Sequence, residues 1–114
     1  IAANNLAWIY ADEKQNLDLA LDLAERATEQ IPDYAEAWDT LGWVYQRKQL
    51  PLLAVVPFEK AVSQDPSNAT FHYHLAMALA GTGDRAKAKE SLQIALKLQP
   101  SFPDAEREMK ALAQ

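Results

Sequence analysis

Two histidines, four serines and sixteen carboxylates are the groups with which this chain of 114 residues could do chemistry. Their spacing argues against it. A protein metal site needs His, Asp or Glu side chains converging from one side. His72 and His74 stand two residues apart, about 200° round a helix, so they share no metal. Ser63, Ser67, Ser91 and Ser101 fall at predicted helix ends or in second helices, and none sits in a nucleophile motif. "GTG" at 81–83 reads as a turn, not a phosphate loop. The carboxylates are scattered over solvated faces, with no pair marked for acid–base work. "NAT" at 68–70 matches a glycosylation acceptor by letter, but it falls in a predicted turn and chance accounts for it. With no cysteine, disulfides, thiolate catalysis and Cys-based zinc sites are excluded. The sequence makes no case for an enzyme, a cofactor or a metal.

Recognition chemistry is what remains, and it rests on aromatics. "LAWIY" at 6–10 nearly recurs as "LGWVY" at 41–45, and Trp38 stands just before the second. The elements that position these rings follow from an internal repeat. Ala35 to Asn68 and Ala69 to Phe102 are both 34 residues long. Overlaid, Trp38 meets His72, Leu41 meets Leu75, Gly42 meets Ala76, Tyr45 meets Leu79, Ala54 meets Ala88, Phe58 meets Leu92, Ala61 meets Ala95 and Pro66 meets Pro100. The segment before Ala35 fits with one extra residue in its turn, through Leu6, Ala7, Tyr10, Ala20, Ala24, Ala27 and Pro32. Each segment reads as two amphipathic helices, predicted at 1–13 and 17–30, 35–48 and 51–64, and 69–81 and 84–98. Small residues recur where helices must approach closely, and a proline follows each second helix and stops it. Gly83 is expected at positive φ, with Asp84, and likewise Asn16, capping the next helix. The middle turn, "RKQLPL", has no glycine, so Lys48 or Gln49 must turn the chain at some cost. Pro51 suits a first helical turn; Pro57 falls inside its helix, where it removes one backbone bond and predicts a local bend.

The pattern W-x2-L-G-x2-Y, A-x3-F-x2-A and P, carried by Trp38, Leu41, Gly42, Tyr45, Ala54, Phe58, Ala61 and Pro66, resembles the tetratricopeptide repeat. The resemblance covers the whole chain. It implies an all-α solenoid of three helix-turn-helix repeats, about 1–34, 35–68 and 69–102, forming one domain with a capping helix at 103–114, seven helices in all. Within that last helix, Ala105, Met109, Leu112 and Ala113 are expected to share the covered face. The opening "IAANNLAWIY" has no Met, no basic n-region and no cleavage site, and it enters a helical pattern without a cap. The reading is a piece of a longer protein.

On a helical wheel with Trp38 at zero, Leu41, Gly42 and Tyr45 lie within about 60° of it, while Trp43 lies at about 140°. Trp43 therefore faces away from the packing stripe. The resemblance implies that first helices line a concave groove where such domains bind peptides. Trp8, Trp43 and Met77 hold equivalent positions and would form an apolar ridge flanked by Asn4, Asp39 and Tyr73. Trp and Tyr dominate interface energetics and Met adapts to varied shapes. Asn4 and Asp39 would supply polar register, and Arg47 would pair with an acidic residue of the partner. The alternative is that both tryptophans only cover neighbouring helices. Chaperone-type members grip a C-terminal carboxylate with Lys, Asn and Arg; here those sites hold Trp8, Trp43 and Met77, so the clamp is absent. His72, in place of the packing Trp, is expected to be partly buried, and His74 to face the groove edge with mild pH sensitivity.

A net charge of -5 and a pI near 4.9 disfavour nucleic acid and an anionic membrane surface as partners. No apolar run is long enough to insert into a bilayer, and cytoplasm and periplasm both stay open. The expected function is a non-catalytic protein-interaction module with a protein or peptide partner. Two alternatives stand beside it. One is a self-assembly scaffold, a homo-oligomer through Ala3, Leu6, Ala7 and Tyr10 of the first helix; the other is a regulatory arm of a larger enzyme. The Pro-rich style with Trp in the groove is similar to bacterial repeat proteins, including those of exopolysaccharide and envelope protein-sorting systems.

Overall fold

A computed structural model describes residues 2–13 and 16–113. Those residues form seven helices: α1 (Ala2–Glu13), α2 (Leu17–Gln30), α3 (Ala35–Arg47), α4 (Pro51–Gln64), α5 (Ala69–Gly81), α6 (Arg85–Leu98) and α7 (Pro103–Ala113). No strand occurs among them. Residues 1 and 114, placed by the sequence in the first and last helices, lie outside the described residues. The all-α solenoid is therefore the architecture: three antiparallel helix pairs, α1–α2, α3–α4 and α5–α6, stacked side by side, with α7 packed on α6.

Alanines make the stack possible. Ala7, Ala20, Ala54 and Ala88 have no exposed surface, and Ala76 almost none. Gly42 is the tightest of the glycine positions. A Cβ there would lie 2.5 Å from Cδ1 of Phe58, which is itself fully buried, so α3 and α4 meet only because the side chain is absent. Two apolar clusters result. Ala7, Ala11, Ala20, Ala24, Leu41 and Val44 fill the first; a larger one runs from Ala54 and Phe58 through α5 and α6 to Leu112. Trp43 and Tyr45 pack against both and join them.

The turns follow local chemistry. At the end of α5, Gly83 takes φ 91° and Asp84 N–H donates to Leu79 O at 3.0 Å. At the end of α3, Gln49 occupies the same place with φ 62°, and Leu50 N–H donates to Tyr45 O at 2.9 Å. The geometry is the left-handed helix C-cap that glycine adopts freely and glutamine adopts at a cost. Asp84 caps α6 by accepting from Lys87 N–H at 3.1 Å, and Asn68 caps α5 in the same way through Phe71 N–H. Asn16 stands at the start of α2 but makes no side-chain capping bond, contrary to expectation. Helix α4 continues across Pro57 from Pro51 to Gln64. On α7, Ala105 and Leu112 are buried and Met109 partly so, but Ala113 is exposed rather than on the covered face.

The two equivalent rings at the hairpin starts do one job. Trp38 Nε1–H donates to Pro32 O at 2.7 Å, and His72 Nε2 lies 2.8 Å from Pro66 O. A carbonyl only accepts, so His72 carries its proton on Nε2. Histidine can replace tryptophan here because both offer an N–H at the ring edge, and His72 is buried.

Helices α1 and α3 touch, as do α3 and α5, whereas α2, α4 and α6 make no comparable contacts with one another. First helices thus lie closer together than second helices, and the stack curls with α1, α3 and α5 on the inside.

Candidate functional site

The inner face is organised round Trp43, near the middle of α3. Its ring stacks on Trp8 of α1, centroids 5.5 Å apart and planes at 28°, and tilts against His74 of α5 at 5.2 Å. His74 continues to Tyr73 at 5.8 Å, and Tyr73 to Phe102 at 5.1 Å. Five rings therefore run in contact from α1 to the segment before α7. Aromatic pairs of this kind contribute about 0.5–1.5 kcal/mol each beyond the area they bury.

Beneath the ladder lies a polar pair. His74 Nδ1–H donates to Asp39 Oδ1 at 2.8 Å, with Oδ2 at 3.1 Å, and both residues are buried. Phe58 closes the far side of the imidazole at 5.7 Å. His74 thus sits inside a box of Trp43, Phe58 and Tyr73, not at the groove edge. Asp39 differs from expectation in the same way: its carboxylate turns onto His74 and is not an open register group. Asn4 is also buried, with Oδ1 unpartnered among the described residues.

Arg47 is the other correction. Its Nε–H donates to Ala11 O at 3.2 Å and Nη2–H to Asp12 O at 3.0 Å. These carbonyls lie in the last turn of α1, the negative end of the helix, where a cation is stabilising. The guanidinium also lies 5.7 Å from the Trp43 ring centroid. Arg47 joins the first two hairpins and is not a free partner for an acidic residue.

Trp8 and Trp43 differ in exposure. Trp8 keeps 39% of its surface open, beside Ile9 at 50%, whereas Trp43, Tyr73 and Met77 are partly buried. Of the expected ridge, Trp8 is the part that stands out. Two hollows flank Trp43 along α3. The larger, about 500 Å³, lies toward the helix starts; Trp8, Glu36, Asp39, Thr70 and His74 are among its lining residues. The smaller, about 230 Å³, is lined by Trp43, Arg47, Tyr73 and Met77 with Gln46 and Gln49. Burial holds the Tyr73 hydroxyl above its usual pKa, and Asp104 and Glu108 add to the effect.

The outer face carries a feature that periodicity did not reveal. Leu52, Leu53 and Val56 of α4 are 75%, 52% and 68% exposed. The repeat overlay contained the signal: Asp18, Leu19 and Asp22 stand at these positions in α2, and Ala86, Lys87 and Glu90 in α6. Only the middle hairpin is apolar at all three.

Residues 69–102 match the family model described as tetratricopeptide repeat. Residues 69–102 are thus a tetratricopeptide repeat, and the whole stack shares the fold of solved tetratricopeptide domains. Solved structures agree with the helical course of these repeats. An O-GlcNAc transferase mutant from Thermobaculum terrenum is 25% identical over 97% of this chain, with a TM-score of 0.84. The first tetratricopeptide domain of human RPAP3 is 18% identical over 98%, with a TM-score of 0.92, and this chain spans 87% of it. The corresponding domain of Spaghetti (RPAP3), solved bound to an HSP90 peptide, is also 18% identical, over 99% of this chain and 89% of its own length, with a TM-score of 0.93. At these identities the RPAP3 likenesses establish the fold alone. This chain spans only 22% of the transferase. Among the described residues, no helix is long and apolar enough to cross a membrane.

Proposed function

We propose that this chain is a non-catalytic interaction module, one domain of three tetratricopeptide repeats, that docks a peptide or helix of a protein partner on its inner face. The observation that carries the reading is the exposed Trp8 ring, stacked on Trp43 beside a hollow of about 500 Å³. Trp8 is the leading anchor. Trp43, Tyr73 and Met77 form the apolar wall behind it, with Asn4 and Asp39 in the floor. A peptide-bound domain of the same fold supports the reading, since its tetratricopeptide stack accommodates an HSP90 peptide. The grip would differ, because Trp8, Trp43 and Met77 stand where a carboxylate clamp needs cations. The test is a pull-down or peptide array with wild type, Trp8→Ala and Trp43→Ala, alongside circular dichroism. Loss of binding in folded variants is expected; equal binding by all three sinks the proposal.

A second reading is self-association through α1, where Leu6 and Ile9 are 43% and 50% exposed. Sedimentation separates the two: a concentration-dependent dimer lost in folded Leu6→Glu favours assembly. A third, a regulatory arm of an enzyme, is supported by the transferase likeness and is tested by assaying the longer protein with and without these residues.

A further inference from the structure

We infer that the docked segment presents a basic side chain, Lys or Arg, to the larger hollow between α1, α3 and α5. The inference rests on the docking reading and adds the chemistry of the occupant. Among the described residues lining the hollow there is no lysine or arginine, while Glu36 and Asp39 both contribute carboxylates. Glu36 is exposed, and Tyr34 Oη–H donates to its Oε2 at 2.8 Å, which orients the group and leaves Oε1 for a ligand. Arg47, the cation of this face that lies nearest Trp43, is spent on the end of α1 and borders the other hollow.

Two opposing effects need weighing. The starts of α1, α3 and α5 border the hollow, and each carries about half a positive charge that falls off within one turn. Against them stand Glu36, whose Oε1 is open, and Asp39, already hydrogen-bonded to His74. A cation entering here also meets the open Trp8 ring, whose face attracts it while the side-chain stem covers apolar surface. An acidic side chain would instead meet Glu36 and the buried Asn4 Oδ1, an acceptor unpartnered among the described residues, with only neutral Asn and Thr donors on the lining. The chain's net charge of -5 steers in the same direction.

The experiment uses the full chain on an array of randomised heptapeptides, followed by calorimetric titration of the strongest binder. Its basic residue is then replaced by Gln and by Glu. Enrichment of Lys or Arg is expected. The Gln peptide should bind about fivefold more weakly, the scale of one exposed ion pair. That difference should vanish in Glu36→Gln and shrink as salt rises. Binding that depends on Trp8 but shows no charge preference, or prefers acidic peptides, overturns the basic occupant and leaves docking standing. An array on which wild type binds no better than Trp8→Ala overturns docking itself and the inference with it.

Discussion

The imidazole of His74 and the carboxylate of Asp39, from adjacent hairpins, meet at 2.8 Å in a site where each residue is less than a tenth exposed. The pair ties α5 to α3 directly beneath the aromatic ladder. Asp39→Ala leaves the Nδ1–H unpaired in the interior and should lower stability by about 1.5–3 kcal/mol, the scale for a hydrogen bond to a charged group. Urea denaturation measures the loss. In a His74→Phe background the same substitution should cost far less; equal costs in both backgrounds would mean that the two residues are not coupled.

Gly42 lies against the Phe58 ring with no room for a Cβ. Gly42→Ala should destabilise by about 1–3 kcal/mol, because the methyl must displace a fully buried ring. Gly83→Ala is the informative comparison. A Cβ at Gly83 meets nothing within 4 Å, and only its φ of 91° opposes the change. Thermal unfolding of both should show the larger loss at Gly42. A harmless Gly42→Ala would contradict the packing described.

Gln49 holds a left-handed conformation that Gly83 reaches without strain. Gln49→Gly should stabilise the fold by about 0.5–1 kcal/mol, the relief of strain exceeding the added freedom of the unfolded chain. A lower urea midpoint for the variant would show that the glutamine makes compensating contacts.

The pH dependence runs downhill on the alkaline side. Burial holds Tyr73 above the ordinary tyrosine value of 10.0, and the hydrogen bond to Glu36 raises Tyr34. A raised folded pKa means that the native state keeps the proton when the unfolded chain has lost it. The contribution is therefore complete below pH 10 and declines as pH rises toward the folded value. Tyr73→Phe should make denaturation midpoints fall less steeply with pH above that point. Parallel slopes for the two proteins would remove Tyr73 as the cause.

Leu52 and Val56 should drive association at high concentration, since exposed apolar patches adhere to one another. Leu52→Glu combined with Val56→Lys should abolish concentration-dependent light scattering and change stability by less than about 0.5 kcal/mol. Unchanged scattering would place any association elsewhere.

The stack was readable from sequence because its determinants are local and periodic: a small residue at each crossing, a proline after each second helix, and an Asp cap beside Gly83. The inner face was readable only in part. A helical wheel assigns Trp43, Asp39 and His74 to a side of their helices, but not to a depth. In so short and curved a stack, adjacent first helices close over the same side, so Asp39 and His74 become interior and Trp43 half-covered. Arg47 shows the limit differently. Its charge was evident, but the carbonyls it bonds at the end of α1 come from a hairpin more than thirty residues earlier and leave no periodic trace.

The stacked indoles of Trp8 and Trp43 have a spectroscopic consequence. Two such chromophores 5.5 Å apart couple their electronic transitions, giving a paired circular-dichroism band that neither produces alone. Trp38, held on Pro32, sits outside this pair. The band therefore reports whether the first hairpin is seated on the second: it should disappear when α1 lifts away, even while every helix keeps its own signal.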